Sequence, residues 1–189
     1  MIRPLALVVP LAVLPACITS EPPVPVRYFD PRPPAAARAT PPATPIRLRL
    51  RAATASRHLD DRMTWRVSPV EVAPDEVHRW IAPPDVLVGD ALRDGLLGRG
   101  LVVTNDATAV LGSHVAAFEV VRSDAGSEAV VTLELDCDTG EGALSTERVT
   151  ARESLGDASP ESVAIGMRDA LARAVADAVG WADGVTRGG

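Results

Sequence analysis

From residue 46 onward, apolar and polar positions alternate in short runs, and these runs set the first elements. Ile46, Leu48 and Leu50 are separated by Arg47, Arg49 and Arg51, the period-two pattern of a half-buried strand. Met63, Trp65 and Val67 repeat it, with Val70 and Val72 extending the region past Pro69. A loop is expected from there to Pro83 and Pro84. The period then changes. Val88, Leu92 and Leu96 recur every four residues with Ala91 on the same face, so a helix capped by Asp85 is expected to run to about Leu97 and to stop at Gly98 and Gly100. Residues 101–103, 114–121 and 129–137 read as strands. Asp138, Thr139 and Gly140 supply a turn into a further strand over 143–151, which closes a hairpin.

The C-terminal pattern is the most regular. Ser159, Pro160 and Glu161 place a hydroxyl cap, a first-turn proline and an acid in the order that starts a helix. Val163, Met167, Leu171, Ala174, Val175 and Ala178 then form one stripe out to Trp181, about 22 residues or 33 Å of helix. Residues 184–189 are expected to fray. Helices separated by strands predict an α/β domain, with α+β as the alternative: a mixed sheet of about five strands carrying two main helices.

The first 45 residues behave differently. An apolar run from Pro4 to Leu14 follows a single cation, Arg3, and leads into Leu14, Pro15, Ala16 and Cys17. The run is about half the length that a bilayer-spanning helix needs. Its layout resembles a lipoprotein signal with a lipobox, in which residues 1–16 are removed and Cys17 is the lipid attachment site. An ordinary secretory leader with an incidental cysteine is the competing reading. Between residues 21 and 45 lie nine of the seventeen prolines, a composition that favours extended polyproline geometry. Residues 17–45 therefore read as a tether to a domain over 46–183, with a reach of roughly 90 Å at ~3.1 Å per residue. Tyr28 and Phe29 interrupt this tether and suggest a docking point on the domain, such as a short added strand.

Charge and cysteine use narrow the partners. The chain carries a formal charge of −6, and loss of the leader removes Arg3 and no acid, giving −7. That balance argues against nucleic acid and against broad adhesion to anionic lipid. With Cys17 acylated, Cys137 has no disulfide partner, and its place in an alternating stretch makes it a buried small side chain.

The sequence holds no recognisable catalytic set. His58, His78 and His114 do not fall at a spacing that shares a helical face. No nucleophile elbow is present, and Gly95, Gly98 and Gly100 follow a helix where phosphate-binding glycines precede one. Asp136, Asp138 and Gly140 lack the pattern of a calcium loop and read as a solvated turn. No cofactor, metal or catalytic residue is predicted.

Several segments, taken in order, resemble the ABC-type transport auxiliary lipoproteins, the family that includes paraquat-inducible protein C. They are the lipobox ending at Cys17, then Tyr28, Phe29, Asp30 and Pro31, then the stretch from His58 to Arg66. Next come Arg79, Trp80, Ile81, Ala82, Pro83 and Pro84, leading into a helix with Asp90, Ala91, Leu92, Arg93, Asp94, Gly95 and Leu96. Ala117, Phe118 and Glu119 follow, with alanine where the family carries arginine, and then the long final helix. The resemblance implies a non-catalytic lipoprotein facing the periplasm that assists an ABC transporter moving lipids, alongside a permease, an ATPase and a mammalian-cell-entry (MCE) domain protein. It also implies that the protein can assemble as a homo-oligomeric ring, as some relatives do. Ile18, rather than aspartate, after the thiol implies the outer membrane. Tyr28, Trp80, Pro83, Pro84 and Phe118 become candidates for partner binding or for structural roles, Trp80 as a core plug at the mouth of the first helix. An envelope structural lipoprotein unrelated to transport is the alternative function, with an anchored enzyme third.

Overall fold

A computed structural model describes residues 24–35, 37, 39–40, 45–140 and 144–188. Nine strands and two helices follow one another: β1 (Arg27–Phe29), β2 (Arg47–Leu50), β3 (Thr54–Ala55), β4 (Arg62–Ser68), β5 (Glu71–Trp80), α1 (Pro84–Gly98), β6 (Val102–Val103), β7 (Val110–Ser123), β8 (Gly126–Asp138), β9 (Leu144–Leu155) and α2 (Pro160–Gly188). The α/β class is as expected, but the sheet has nine strands rather than about five.

Three long antiparallel strands, β7, β8 and β9, form the backbone of the sheet. The far side of β7 is shared by β2, β3 and β4, each paired to it in parallel at successive positions. β5 then pairs antiparallel with β4, and β1 adds to β5 in parallel as an outer strand. β9 is the opposite edge and pairs only with β8 among the described residues. Glu147, Arg148, Arg152 and Glu153 line it, which guards a long edge against pairing with other chains.

Alternation decides which face is covered. Ala129, Val131, Leu133, Leu135 and Cys137 of β8 are buried in one cluster with Leu111, Val115, Phe118 and Val120 of β7 and with the apolar faces of both helices. The opposite face is polar and uncovered by helices. There Glu134 pairs with Arg148 and Glu128 with Arg152 across neighbouring strands. Glu119, although 4% exposed, sits on this face because Arg66 of β4 covers it, donating Nε to Oε1 at 2.5 Å and Nη2 to Oε2 at 2.9 Å.

The elements depart from the sequence expectations in physically explicable ways. The loop expected before Pro83 is β5, whose Pro74 and charged residues break the apolar alternation. α1 begins with Pro83 at the cap position and Pro84 at its first turn, so Asp85 lies inside the first turn and not at the cap. There Asp85 still favours the positive end of the helix dipole. Gly100 ends the approach to β6 at φ +86°, a conformation open to glycine. Ser159 caps α2 as predicted, its Oγ accepting the Ser162 N–H at 3.3 Å. The helix continues to Gly188, through residues expected to fray, and Val185 packs against the core.

The Arg66–Glu119 pair yields a stability test. Arg66→Met leaves a buried carboxylate unpaired and is expected to cost about 3–5 kcal/mol in urea unfolding. Adding Glu119→Leu to it is expected to recover most of that loss, because the buried charge is gone.

Candidate partner-binding site

The part of the chain read as a tether is built into the fold. β1 runs beside β5 with Arg27 opposite His78, Tyr28 opposite Arg79 and Phe29 opposite Trp80, and Ile81 donates its N–H to the Phe29 carbonyl at 3.0 Å. Phe29 turns toward the core and packs on His78 with ring centroids 5.9 Å apart, while Tyr28 points the other way and is 63% exposed. The Arg27 guanidinium lies 5.1 Å from the Phe29 ring centre and reaches Glu161 of α2 at 2.5 Å. Arg32 then bonds both carboxylate oxygens of Asp30. The added strand expected at Tyr28 and Phe29 is therefore present, and the chain enters the domain at Arg27, not Ile46. From Cys17 to Arg27 is ten residues, a reach of about 35 Å at most, in place of roughly 90 Å.

The other candidate residues divide by depth. Trp80 is 1% exposed and meets Phe118, also 1% exposed, edge to face at 5.5 Å and 88°. Both are core residues, and Trp80 is the plug expected of it, joining the docked strand on one side to β7 on the other. Its indole N–H is buried and finds no acceptor among the described residues. Pro84 is buried at the start of α1, and the Pro83 carbonyl accepts the N–H groups of Val86 and Leu87 at 3.0 and 3.1 Å. Cys17 lies outside the described residues.

Beyond β1, residues Asp30, Arg32, Pro33, Pro34 and Ala35 form one wall of a groove of about 710 Å³. Ala91, Gly95 and Gly98 of α1 and Ala172, Val175, Ala176 and Val179 of α2 make an apolar floor. A Cβ on Gly95 would lie 2.9 Å from Val175 Cγ1 and 3.0 Å from Val179 Cγ2, so the glycine permits the close helix contact beneath the groove. Three arginines, Arg32, Arg93 and Arg99, and three aspartates, Asp30, Asp90 and Asp94, balance one another at the rim. Arg99 is also tied to Asp183, a buried carboxylate that accepts Arg187 Nε at 2.7 Å. A volume and lining of this kind suit a small amphiphile or a short peptide segment. The sequence concealed this groove because its walls come from three distant segments.

The remaining polar groups are held locally. His114 is bracketed by Thr54 Oγ1 on Nδ1 at 2.9 Å and Ser56 Oγ on Nε2 at 3.3 Å. His78 bonds Asp75 at 2.9 Å; burial pushes that carboxyl up, but the His78 ring and the amides of Val77 and His78 outweigh it and hold the group below its usual range. Burial, with Asp136 and Asp138 alongside, raises the Cys137 thiol above its usual range. Among the described residues no cluster of metal-ligating side chains is present, and no helix is long and apolar enough to cross a membrane.

No family model matches the chain, and no curated protein matches it in sequence. Solved structures do match it in shape. Protein XCC0632 from Xanthomonas campestris, of family DUF330, superimposes with a TM-score of 0.72 at 17% identity, covering 82% of this chain and 94% of that one. A structure described only as an uncharacterized protein gives 0.63 at 16% identity, covering 87% and 98%. Lipoprotein GNA1162 from Neisseria meningitidis gives 0.30 at 13% identity over 72% and 99%, too remote to bear on function. The first of these likenesses establishes that the chain shares its fold with a DUF330 protein.

Docking of β1 can be tested in two ways. Phe29→Ala is expected to raise the rate of tryptic cleavage after Arg27 about tenfold or more while the rest of the domain stays resistant, since the strand loses its only inward aromatic anchor. Acid is expected to act on the same strand. The Arg27 guanidinium holds the Glu161 carboxyl below its usual range, and Arg32 does the same for Asp30. Folded values that are depressed contribute stability above the ordinary carboxylate pKa of about 4 and lose it as the pH falls through the depressed values. Amide exchange at Ile81, whose partner is the Phe29 carbonyl, is expected to accelerate selectively as the pH drops below about 4, after correction for intrinsic rates.

Proposed function

We propose that the chain is a membrane-anchored, non-catalytic auxiliary lipoprotein of an ABC-type lipid transport system in the bacterial envelope. The observation that carries this reading is the ordered run of family-like segments from Cys17 through the residues of β1, β4, β5, α1 and β7. A Cys17 lipobox and a short proline-rich leash support the anchor. Partner-facing material is available in the groove beside α1. On this reading the domain hangs in the periplasm from the outer membrane, and its companions are an MCE-domain protein and the permease and ATPase of the transporter. A ring of identical copies belongs to the same proposal.

The test is made in the native host. Cys17→Ser is expected to move the protein from the membrane fraction to the soluble periplasmic fraction with its circular dichroism spectrum unchanged. Solubilised wild-type protein is expected to retain an MCE-type or permease component through affinity purification. Unchanged fractionation of the variant would remove the anchor, and purification without any transporter component would remove the transport role.

A further inference from the structure

We propose that the edge carrying Val24, Val26 and Tyr28 rests directly on the lipid bilayer, with the interfacial zone of the membrane as its partner. The inference rests on the reading of Cys17 as the anchor and goes beyond it by assigning a second, non-covalent contact.

Val24, Val26 and Tyr28 alternate along the approach to β1 and are 69%, 43% and 63% exposed. Tyr28, within β1, points away from Phe29, and Val24 and Val26 precede it at the same two-residue spacing. Ile81, 42% exposed, joins the same edge through its bond to the Phe29 carbonyl. β1 is the outermost strand on this side among the described residues, so the segment lies at the rim of the sheet. A tyrosine with aliphatic neighbours suits the boundary between headgroups and hydrocarbon, where the ring buries carbon and keeps its hydroxyl wet.

The length of chain outside the described structure selects the membrane as occupant. Six residues separate Cys17 from Val24, seven steps that span about 25 Å at full extension. A lipidated Cys17 sits at the headgroup level, so this edge can never lie farther than that from lipid. At such a distance the effective concentration of bilayer is high, and a contact too weak to bind free protein becomes sufficient. Charge does not oppose it. Arg27, Arg32 and Arg79 are each paired, with Glu161, Asp30 and Asp61, so the edge is locally balanced although the chain as a whole is acidic.

The experiment separates this contact from native acylation. The chain from Cys17 onward, produced without acylation, is coupled through the Cys17 thiol to a maleimide-headgroup lipid in phosphatidylcholine vesicles. Cys137 is fully buried and does not compete. In Tyr28→Trp protein, the added fluorescence is expected to fall at least twofold when the acyl chains are brominated, at every surface density of coupled protein. Val24→Asp with Val26→Asp in that background is expected to abolish the quenching. Emission that ignores bromination overturns the proposal. So does an emission shift that appears only at high coupled density and without quenching, because a second copy then covers the face. Mass spectrometry of the amino terminus from the native host tests the anchor by itself, so either idea can fail without the other.

Discussion

Close packing along one face of α2 is the constraint on which the rest of the fold depends. Gly166 faces Ala129 and the Leu155 side chain, and Ala170, Ala174, Ala178 and Ala182 are all fully buried. Small residues let the helix axis approach the sheet, and the larger side chains of β7, β8 and α1 fill the space around it. α1 is drawn in by the same device, since Gly95 lies directly against Val175 and Val179. The surface left above that contact is a shallow channel rather than a filled interface, and residues 30–35 lie along it.

Strands with one buried and one open face were legible in the chain, because alternation survives wherever only one side is covered. Residues 46–51, 63–67 and 129–137 are of this kind, and so is the stripe of α2. β5 was not legible, because Pro74, Asp75 and Glu76 interrupt its pattern while its hydrogen bonds to β4 persist on either side of an irregular register. α2 outran its expected end because Gly180 and Gly184 weaken a helix without stopping one whose inner face is already held. The candidate surface was legible only at Tyr28 and Phe29, where two aromatics stood out against a plain background. The groove, and likewise the Arg66–Glu119 pair on the open sheet face, depend on contacts between residues more than fifty positions apart, and nothing local announces them.

Trp80 shows how a conspicuous residue can mislead about surfaces. It stands between strand and helix in one of the segments that resemble the auxiliary lipoproteins, yet it is buried with its ring edge to face against Phe118. It connects two parts of the fold: its backbone pairs with Phe29 of β1 while its ring packs on Phe118 of β7. The buried indole N–H and the Ser113 hydroxyl, which find no partner among the described residues, mark places where packing has taken precedence over hydrogen bonding.

The parallel pairing of β1 with β5 has a mechanical consequence. Tension arriving from the amino terminus meets this short strand first, and only a few main-chain hydrogen bonds, one aromatic contact and one exposed ion pair resist it. When they part, the sixteen residues from Asp30 to Pro45, with an extended length of about 50 Å at ~3.1 Å per residue, take up the load before it reaches β2. The strand is thus a load-limiting clip, which shields the central sheet from tension that arrives at the amino terminus.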